Sequence, residues 1–105
     1  MDVAKARMTG LEEKAEEASL LLTAMANTKR LTVLCNLLDG EKSVGELAEI
    51  VGLSQAALSQ HLGKMRALRL VETRRNGQTI YYSLASSEAR AVLETLYRLY
   101  CAPEC

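Results

Sequence analysis

The chain has 105 residues, with 13 basic and 13 acidic side chains, a single histidine, and neither tryptophan nor phenylalanine. A chain of this length suits one compact domain, whose thin core must consist of aliphatic side chains and methionine. It contains no apolar run of membrane-spanning length and no secretion signal, so we expect a cytoplasmic protein that does not enter a membrane.

The neutral total conceals a segregated charge distribution. Residues 1–50 carry six basic and nine acidic side chains, whereas residues 51–85 carry five basic side chains and one acidic side chain. A local excess of positive charge is typical of a surface that binds nucleic acid, although a solvated face is the ordinary explanation of a charge cluster. The positive segment coincides with the helix and hairpin that the motifs predict, which favours nucleic-acid binding.

The first two predicted helices precede the basic segment. Residues 1–10 are expected to be frayed, and residues 11–26 place apolar side chains at helical spacing. Asn27 or Thr28 is a suitable cap for a second helix, which is predicted to run to Leu38. Four residues form the apolar stripe of that second helix: Leu31, Leu34, Cys35 and Leu38.

Two further helices joined by a short turn are predicted next. Ser43 and Glu46 have the spacing of a capping box, in which the two side chains bond backbone N–H groups at a helix start. Gly52 supplies the left-handed residue that ends this helix, and Ser54 caps the following one. Two helices separated by so short a turn predict a helix-turn-helix.

A β-hairpin is predicted after the second helix of this unit. Residues 71–75 and 78–84 are strand-like, and Asn76-Gly77 between them is a strong signal for a type I′ turn. The predicted fold is therefore mainly α with a β-hairpin wing. It is a single winged helix-turn-helix domain over residues 1–105.

The first and last predicted helices are apolar over more than one narrow stripe. Ser86 or Ser87 caps the last helix, which runs to about Tyr100 and is followed by a tail at residues 102–105. One apolar face packs on the helix-turn-helix, and the surplus predicts a homodimer through these two helices, with a wide monomeric core as the alternative. A two-fold dimer places two recognition helices roughly 34–36 Å apart and implies a palindromic DNA site.

The helix after Ser54 divides into two faces on a helical wheel. Its inward face consists of four side chains: Leu58, Leu62, Met65 and Leu68. Small side chains on the opposite face allow a close approach to base edges, and the amides of Gln55 and Gln60 are suited to pair with adenine. The predicted DNA contacts of this helix are Ser54, Gln55, Ala56, Ser59, Gln60 and Lys64.

Basic side chains beside these residues are assigned to DNA phosphates, which fix position rather than sequence. They are Lys64, Arg74 and Arg75, and Gln78 joins them from the hairpin. His61 lies at the edge of the apolar face, where a lone histidine is more often a packed residue than a ligand, so it is left out. With no second histidine, no glycine-rich phosphate loop and no plausible carboxylate pair, we expect no catalytic residues, no cofactor and no enzymatic activity.

These motifs resemble the ArsR/SmtB family of bacterial winged-helix repressors. The resembling segments are residues 44–48, 53–55, 58–62 and 70–71, within a match over about residues 20–101. The resemblance implies a homodimer that represses an operator and releases it when an inducer binds. Neither usual metal site of the family is implied, because residues 43–50 contain no cysteine and residues 87–100 contain neither histidine nor aspartate.

Cys35 and Cys101 resemble the cysteine pair of the BigR/SqrR branch of this family, which senses sulfane sulfur. The resemblance implies that persulfide closes a polysulfide bridge between the two thiols and that the protein then leaves its DNA. For Cys35 alone an ordinary buried thiol is the simpler interpretation. A structural disulfide is not expected in a reducing compartment.

Two other kinds of function remain open at this point. Three thiolates, from Cys35, Cys101 and Cys105, are suited to a soft metalloid such as arsenite, and a peroxide-driven disulfide is a related switch. The second alternative belongs to a different class of function, in which the chain is a dimeric protein-interaction module that does not bind DNA. The basic wing and the small-residue helix face argue against that module.

Overall fold

A computed structural model of the chain describes residues 3–101, with the backbone alone for residues 3–9. The elements within that range are α1 (Val3–Met25), α2 (Thr28–Asn36), β1 (Lys42–Ser43), α3 (Val44–Val51), α4 (Gln55–Ala67), β2 (Val71–Asn76), β3 (Thr79–Leu84) and α5 (Ser87–Tyr100). Helices α3 and α4 form the helix-turn-helix, and the strands form the wing. The predicted fold class is confirmed.

Side-chain caps set the starts of α2 to α5, because each accepts a hydrogen bond from a backbone N–H that the helix leaves unpaired. The caps are Asn27, Ser43, Ser54 and Ser86, with donor–acceptor distances of 3.0, 3.2, 3.1 and 3.0 Å. Both bonds of the predicted capping box are present, since the Ser43 backbone N–H also donates to Glu46 Oε1 at 2.9 Å. These predicted starts are confirmed.

Two predicted helix bounds are wrong. Helix α1 begins at Val3, before the predicted start at residue 11. A single glycine, Gly10, costs a helix only about 1 kcal/mol, which its helix-forming neighbours offset. Helix α2 ends at Asn36, because the chain tightens into a turn in which the Leu37 N–H donates to Leu34 O at 3.0 Å. The predicted tail at residues 102–105 lies outside the described residues.

The wing is an antiparallel sheet with the strand order β1-β3-β2. Asn76 pairs with Thr79, so the turn consists of Gly77 and Gln78. Gly77 has φ +66°, whereas Asn76 does not adopt a positive φ. The predicted type I′ turn centred on Asn76-Gly77 is therefore wrong by one residue, and glycine at the first central position is the type II′ arrangement. The two-residue strand β1 was not predicted.

The core is aliphatic and lies between the helices and one face of the sheet. Its largest fully buried side chains are Val33, Leu34, Leu37, Leu47, Leu58, Leu62, Met65, Val71 and Leu93. Leu68 was predicted to face this core but is 47% exposed, while Leu70 is 3% exposed. The reason is that α4 ends at Ala67 and Arg69 takes a left-handed φ of +63°, which ends the helical periodicity.

Helices α1 and α5 expose large apolar side chains. The α1/α5 apolar surface consists of Leu11, Leu20, Leu22, Tyr97, Leu99 and Tyr100. None of the described helices is long and apolar enough to cross a bilayer. The excess apolar surface that the sequence predicted for these two helices is therefore present on the folded chain.

Candidate DNA interface and cysteine pair

The predicted DNA-contacting face of α4 is exposed along the length of the helix. The exposed residues are Ser54, Gln55, Ala56, Ser59, Gln60, Gly63 and Lys64. On the opposite face Leu58, Leu62 and Met65 are fully buried. Helix α4 is therefore fixed to the core by one side and presents small and amide side chains on the other.

The start of α4 lies against the start of α3. A Cβ atom placed on Gly45 would lie 4.0 Å from Gln55 Nε2, so this amide extends over the first turn of α3. Gly52, with φ +71°, makes the tight turn that sets the two helices in this relation. Gln55 therefore has a neighbour on α3, whereas Gln60 lies one and a half turns further along α4.

Arg74 and Arg75 lie on opposite faces of the wing, because successive side chains of a strand alternate. Arg74 is paired with Tyr81 and Arg75 with Ile80. Arg75 shares its sheet face with Val71, which is buried in the core that holds α4. The fold therefore brings Arg75, but not Arg74, onto the wing face nearer to α4.

The guanidinium of Arg74 is bound within the chain. Its Nε donates to both carboxylate oxygens of Glu41 at 3.2 Å, its Nη2 donates to Oε1, and its Cζ lies 4.8 Å from the centre of the Tyr81 ring. Hydrogen bonds from Arg74 lower the pKa of Glu41, and Glu41 raises the pKa of Arg74, so both groups are charged at neutral pH. This pair was not predictable from the sequence, because its members are 33 residues apart.

His61 lies beside the core face of α4 and is half-buried. Burial lowers the pKa of His61, and the positive charges of Arg30 and Lys64 lower it further. The imidazole is therefore neutral at neutral pH and adds no positive charge to the exposed face of α4.

Cys35 lies near the end of α2, and Cys101 directly follows α5. Both side chains are exposed, and Cys35 is a free thiol. Its predicted place in a buried apolar stripe is wrong, because Val33 and Leu34 form the buried face of α2 and Cys35 lies outside it. Cys35 instead opens into a groove of about 510 Å³ whose lining is Cys35, Leu38, Asp39, Glu94, Tyr97 and Arg98.

The two cysteines influence each other electrostatically. Partial burial raises the pKa of Cys35 above that of an ordinary cysteine, and the negative charge of the Cys101 thiolate raises it further. The turn that follows α2 is bonded to the first turn of α5, because Arg90 Nη1 donates to Leu38 O at 3.3 Å. The groove therefore places Cys35 beside the last turns of α5, the helix that Cys101 directly follows.

We expect alkylation of Cys35 by iodoacetamide to be slow at neutral pH and to accelerate as the pH rises through the raised pKa. The thiolate is the reacting form, so the rate follows its fraction. Cys101→Ser removes the neighbouring charge and should move the midpoint for Cys35 to lower pH, although burial, the larger cause, remains. Mass spectrometry of the labelled Cys35 peptide measures the rate. An unchanged midpoint in Cys101→Ser would contradict the coupling.

The described residues contain no cluster of side chains that could hold a metal ion. Within residues 3–101, no group of three or more cysteine, histidine, aspartate or glutamate side chains is placed to hold a metal ion. The third thiol of the arsenite hypothesis, Cys105, lies outside that range. The described cysteine site is therefore a pair of thiols.

The helix-turn-helix matches a known family of regulators. Residues 27–73 match the family model described as bacterial regulatory protein, arsR family. This range contains α2, β1, α3 and α4 and the beginning of β2. The matching region therefore includes Cys35 and the exposed face of α4, but not the rest of the wing or Cys101.

Similarity to individual proteins extends over most of the chain. It is 53% identical over 91 residues to the transcriptional activator HlyU of Vibrio cholerae, and the aligned region covers 87% of this chain and 84% of that protein. It is 39% identical over 104 residues to the biofilm growth-associated repressor of Agrobacterium fabrum, with 99% and 89% covered. The crystal structure of the transcriptional repressor BigR from Xylella fastidiosa superposes with a TM-score of 0.84 at 40% identity, over 90% of this chain and 97% of that one.

Proposed function

We propose that this chain, which belongs to the arsR family of bacterial regulatory proteins, is a homodimeric repressor that senses sulfane sulfur through Cys35 and Cys101. It binds a palindromic operator in the reduced form and leaves it when persulfide bridges the two thiols. The observation that carries the sensing proposal is the position of Cys35 in a groove that is also lined by Tyr97 and Arg98 of α5, the helix that Cys101 directly follows. Repression, rather than activation, follows the two relatives named as repressors.

The exposed face of α4 is proposed to enter the major groove. The amides of Gln55 and Gln60 are suited to base edges, and the small side chains between them allow the helix to approach closely. The remaining proposed contacts are Ser54, Ala56 and Ser59 in the groove and Lys64, Arg75 and Gln78 at phosphates. Exposure of all these residues supports the proposal, since none must move out of the core to reach DNA.

The α1/α5 apolar surface is proposed to be the dimer interface. Several large apolar side chains lie there on two helices, with Leu99 66% and Tyr100 75% exposed. Large apolar side chains that stay exposed on a folded chain are typical of an interaction surface. A two-fold dimer through these helices presents two copies of α4 to one palindromic site.

The proposed sensing reaction uses persulfide as the oxidant. Each cysteine thiolate attacks the outer sulfur of a persulfide RSSH, forms a protein persulfide and releases the thiol RSH. The persulfide anion of one cysteine then attacks the Sγ atom of the other persulfide, and hydrosulfide leaves with the electron pair of the broken S–S bond. Two thiols and two RSSH thus give one trisulfide bridge, two RSH and one H₂S.

Bridging is proposed to act on DNA binding through α5. Cys101 directly follows this helix, and Leu99 and Tyr100 of the proposed interface immediately precede it. A bond to α2 therefore fixes the end of α5 at the dimer interface, and a change there alters the spacing of the two α4 helices. A loss of about 2–2.8 kcal/mol in binding free energy lowers operator affinity roughly thirty- to a hundredfold.

We expect a persulfide donor to link Cys35 to Cys101 and to weaken operator binding about thirty- to a hundredfold. The DNA is a duplex selected on the reduced protein from a random palindromic library, and fluorescence anisotropy measures its affinity. Mass spectrometry of the linked peptides measures the number of sulfur atoms in the bridge. A persulfide-treated protein that carries no added sulfur and keeps its operator affinity would contradict the proposed function.

Matched treatments separate this proposal from the two related thiol switches. Cys35→Ser and Cys101→Ser should each bind operator but fail to respond, while Cys105→Ala should respond like the wild type. A stronger response to arsenite that needs Cys105 would favour the three-thiolate metalloid sensor. A response to peroxide through a plain disulfide would favour the redox switch, which requires Cα atoms within about 7 Å.

A further inference from the structure

Glu41, Arg74 and Tyr81 form a cluster on the wing, which we call the wing brace. Arg74 Nε lies 3.2 Å from each carboxylate oxygen of Glu41, and Nη2 makes a further bond to Oε1. The guanidinium lies 4.8 Å from the Tyr81 ring centre, within the range of a cation–π contact. A forked arginine–carboxylate pair on an aromatic ring has a defined geometry that a single flexible charge contact lacks.

The wing brace crosses all three strands of the sheet. Strand β3 lies between β1 and β2, and its Tyr81 pairs with Ser43 on one side and Arg74 on the other. Glu41 immediately precedes β1, so its bond to Arg74 passes over β3. Strand β1 pairs with β3 at two positions only, Lys42 and Ser43. The side-chain bond therefore ties a short edge strand to the far strand of the wing.

Ser43 connects the wing brace to the helix-turn-helix. It is the last residue of β1 and also the cap of α3, where both bonds of its capping box are formed. Helix α3 in turn packs against α4. The angle between the wing and α4 therefore depends on the junction that the wing brace holds.

We propose that Arg74 positions the wing relative to α4 and that the phosphate contact of the wing comes from Arg75. This inference rests on the proposed binding to operator DNA. For Arg74 to bind a phosphate it would have to leave Glu41, and the carboxylate would remain beside the negatively charged DNA backbone. Arg75, on the other sheet face, has no ion pair among the described residues.

Glu41→Gln distinguishes the two roles of Arg74 by the sign of its effect. If Arg74 bound phosphate, Glu41 would compete with DNA and its loss would raise operator affinity. If Arg74 belongs to the wing brace, the loss of Glu41 releases the wing and lowers affinity. Glu72→Gln is the matched control for the general effect of removing a negative charge, because Glu72 is exposed on the same strand and the same sheet face as Arg74.

We expect Glu41→Gln, corrected by Glu72→Gln, and Arg74→Gln each to lower operator affinity about three- to tenfold in the full-length dimer. The double variant should lose no more than either single variant, since both break the same link. The slope of log affinity against log salt should stay unchanged in the double variant, whose net charge is that of the wild type. Arg75→Gln should instead make that slope shallower by about 2 per dimer, because each protomer loses one phosphate contact and each contact contributes roughly 0.9 to the slope.

The charge-swapped variant Glu41→Arg with Arg74→Glu gives a second test. It re-forms the ion pair without a positive charge at position 74, so the wing brace predicts that affinity recovers relative to Arg74→Gln. A phosphate contact at position 74 predicts a further loss. Recovery supports the inference, and a further loss overturns it, as does a gain in affinity for Glu41→Gln beyond that of Glu72→Gln.

Hydrogen exchange of the DNA-free protein tests the wing brace independently of the proposed function. Arg74→Gln and Glu41→Gln should both accelerate amide exchange in β1 and β3 without DNA present, whereas Arg75→Gln should not. If the wild type selects no DNA sequence, the proposed function fails while accelerated exchange still supports the link across the sheet. Unchanged exchange together with a lowered salt slope in Arg74→Gln would assign Arg74 to phosphate and overturn the inference.

Discussion

Leu99→Glu is expected to convert the dimer into monomers and to lower operator affinity about a hundred- to ten-thousandfold. Leu99 is 66% exposed on the last turn of α5 and belongs to the α1/α5 apolar surface. A glutamate there would place a charge in an apolar interface, where desolvation opposes association. Each monomer then binds a half-site alone and loses the gain of roughly 10²–10⁴ that comes from linking two binding modules. Sedimentation equilibrium and fluorescence anisotropy on the selected duplex measure the two effects.

A control separates loss of the dimer from loss of the fold. Ile50→Glu introduces the same charge at an apolar side chain that is 47% exposed on α3, outside the α1/α5 apolar surface, and should remain dimeric. The circular dichroism of Leu99→Glu should stay close to that of the wild type, because Ala89 and Leu93 hold α5 on the core. A Leu99→Glu protein that stays dimeric and keeps its operator affinity would contradict an interface through these helices.

Helix starts were predictable from sequence because their causes are local. Asn27 and Ser43 accept bonds from residues three positions further along, so the pattern and the bond lie within one turn. Helix α1 was different, because its first residues depend on the summed preference of many positions rather than on a cap. The turn was displaced for a related reason, since the strand register, and not the Asn76-Gly77 pair alone, decides which two residues are unpaired.

The candidate site was predictable in its parts but not in its contacts. The exposed face of α4 follows from helical periodicity, which assigns Gln55 and Gln60 to the surface. The wing basic residues could be named but not distinguished, because the partner of Arg74 comes from Glu41, distant in sequence. The position of Cys35 beside α5 also depends on tertiary packing, and only the family resemblance implied it. Long-range pairs of this kind leave no periodic signal in a single sequence.

Leu58→Ala is expected to lower the free energy of unfolding by about 2–5 kcal/mol, whereas Leu68→Ala should lower it by less than about 1 kcal/mol. The helical wheel places both leucines on one face, so periodicity alone predicts similar losses. Leu58 is fully buried, however, and its truncation leaves a cavity, while Leu68 lies past the end of α4 and is 47% exposed. The difference between the two variants therefore reports where α4 stops.

Urea unfolding followed by circular dichroism measures both losses. All proteins must be compared at one protomer concentration, because the stability of a dimer depends on concentration. The free energy of unfolding of a small domain is only about 5–15 kcal/mol. Leu58→Ala therefore removes a large share of that free energy and should measurably lower the urea concentration at the unfolding midpoint. Equal losses for Leu58→Ala and Leu68→Ala would contradict the exposed position of Leu68 and would extend the buried face of α4 by another turn.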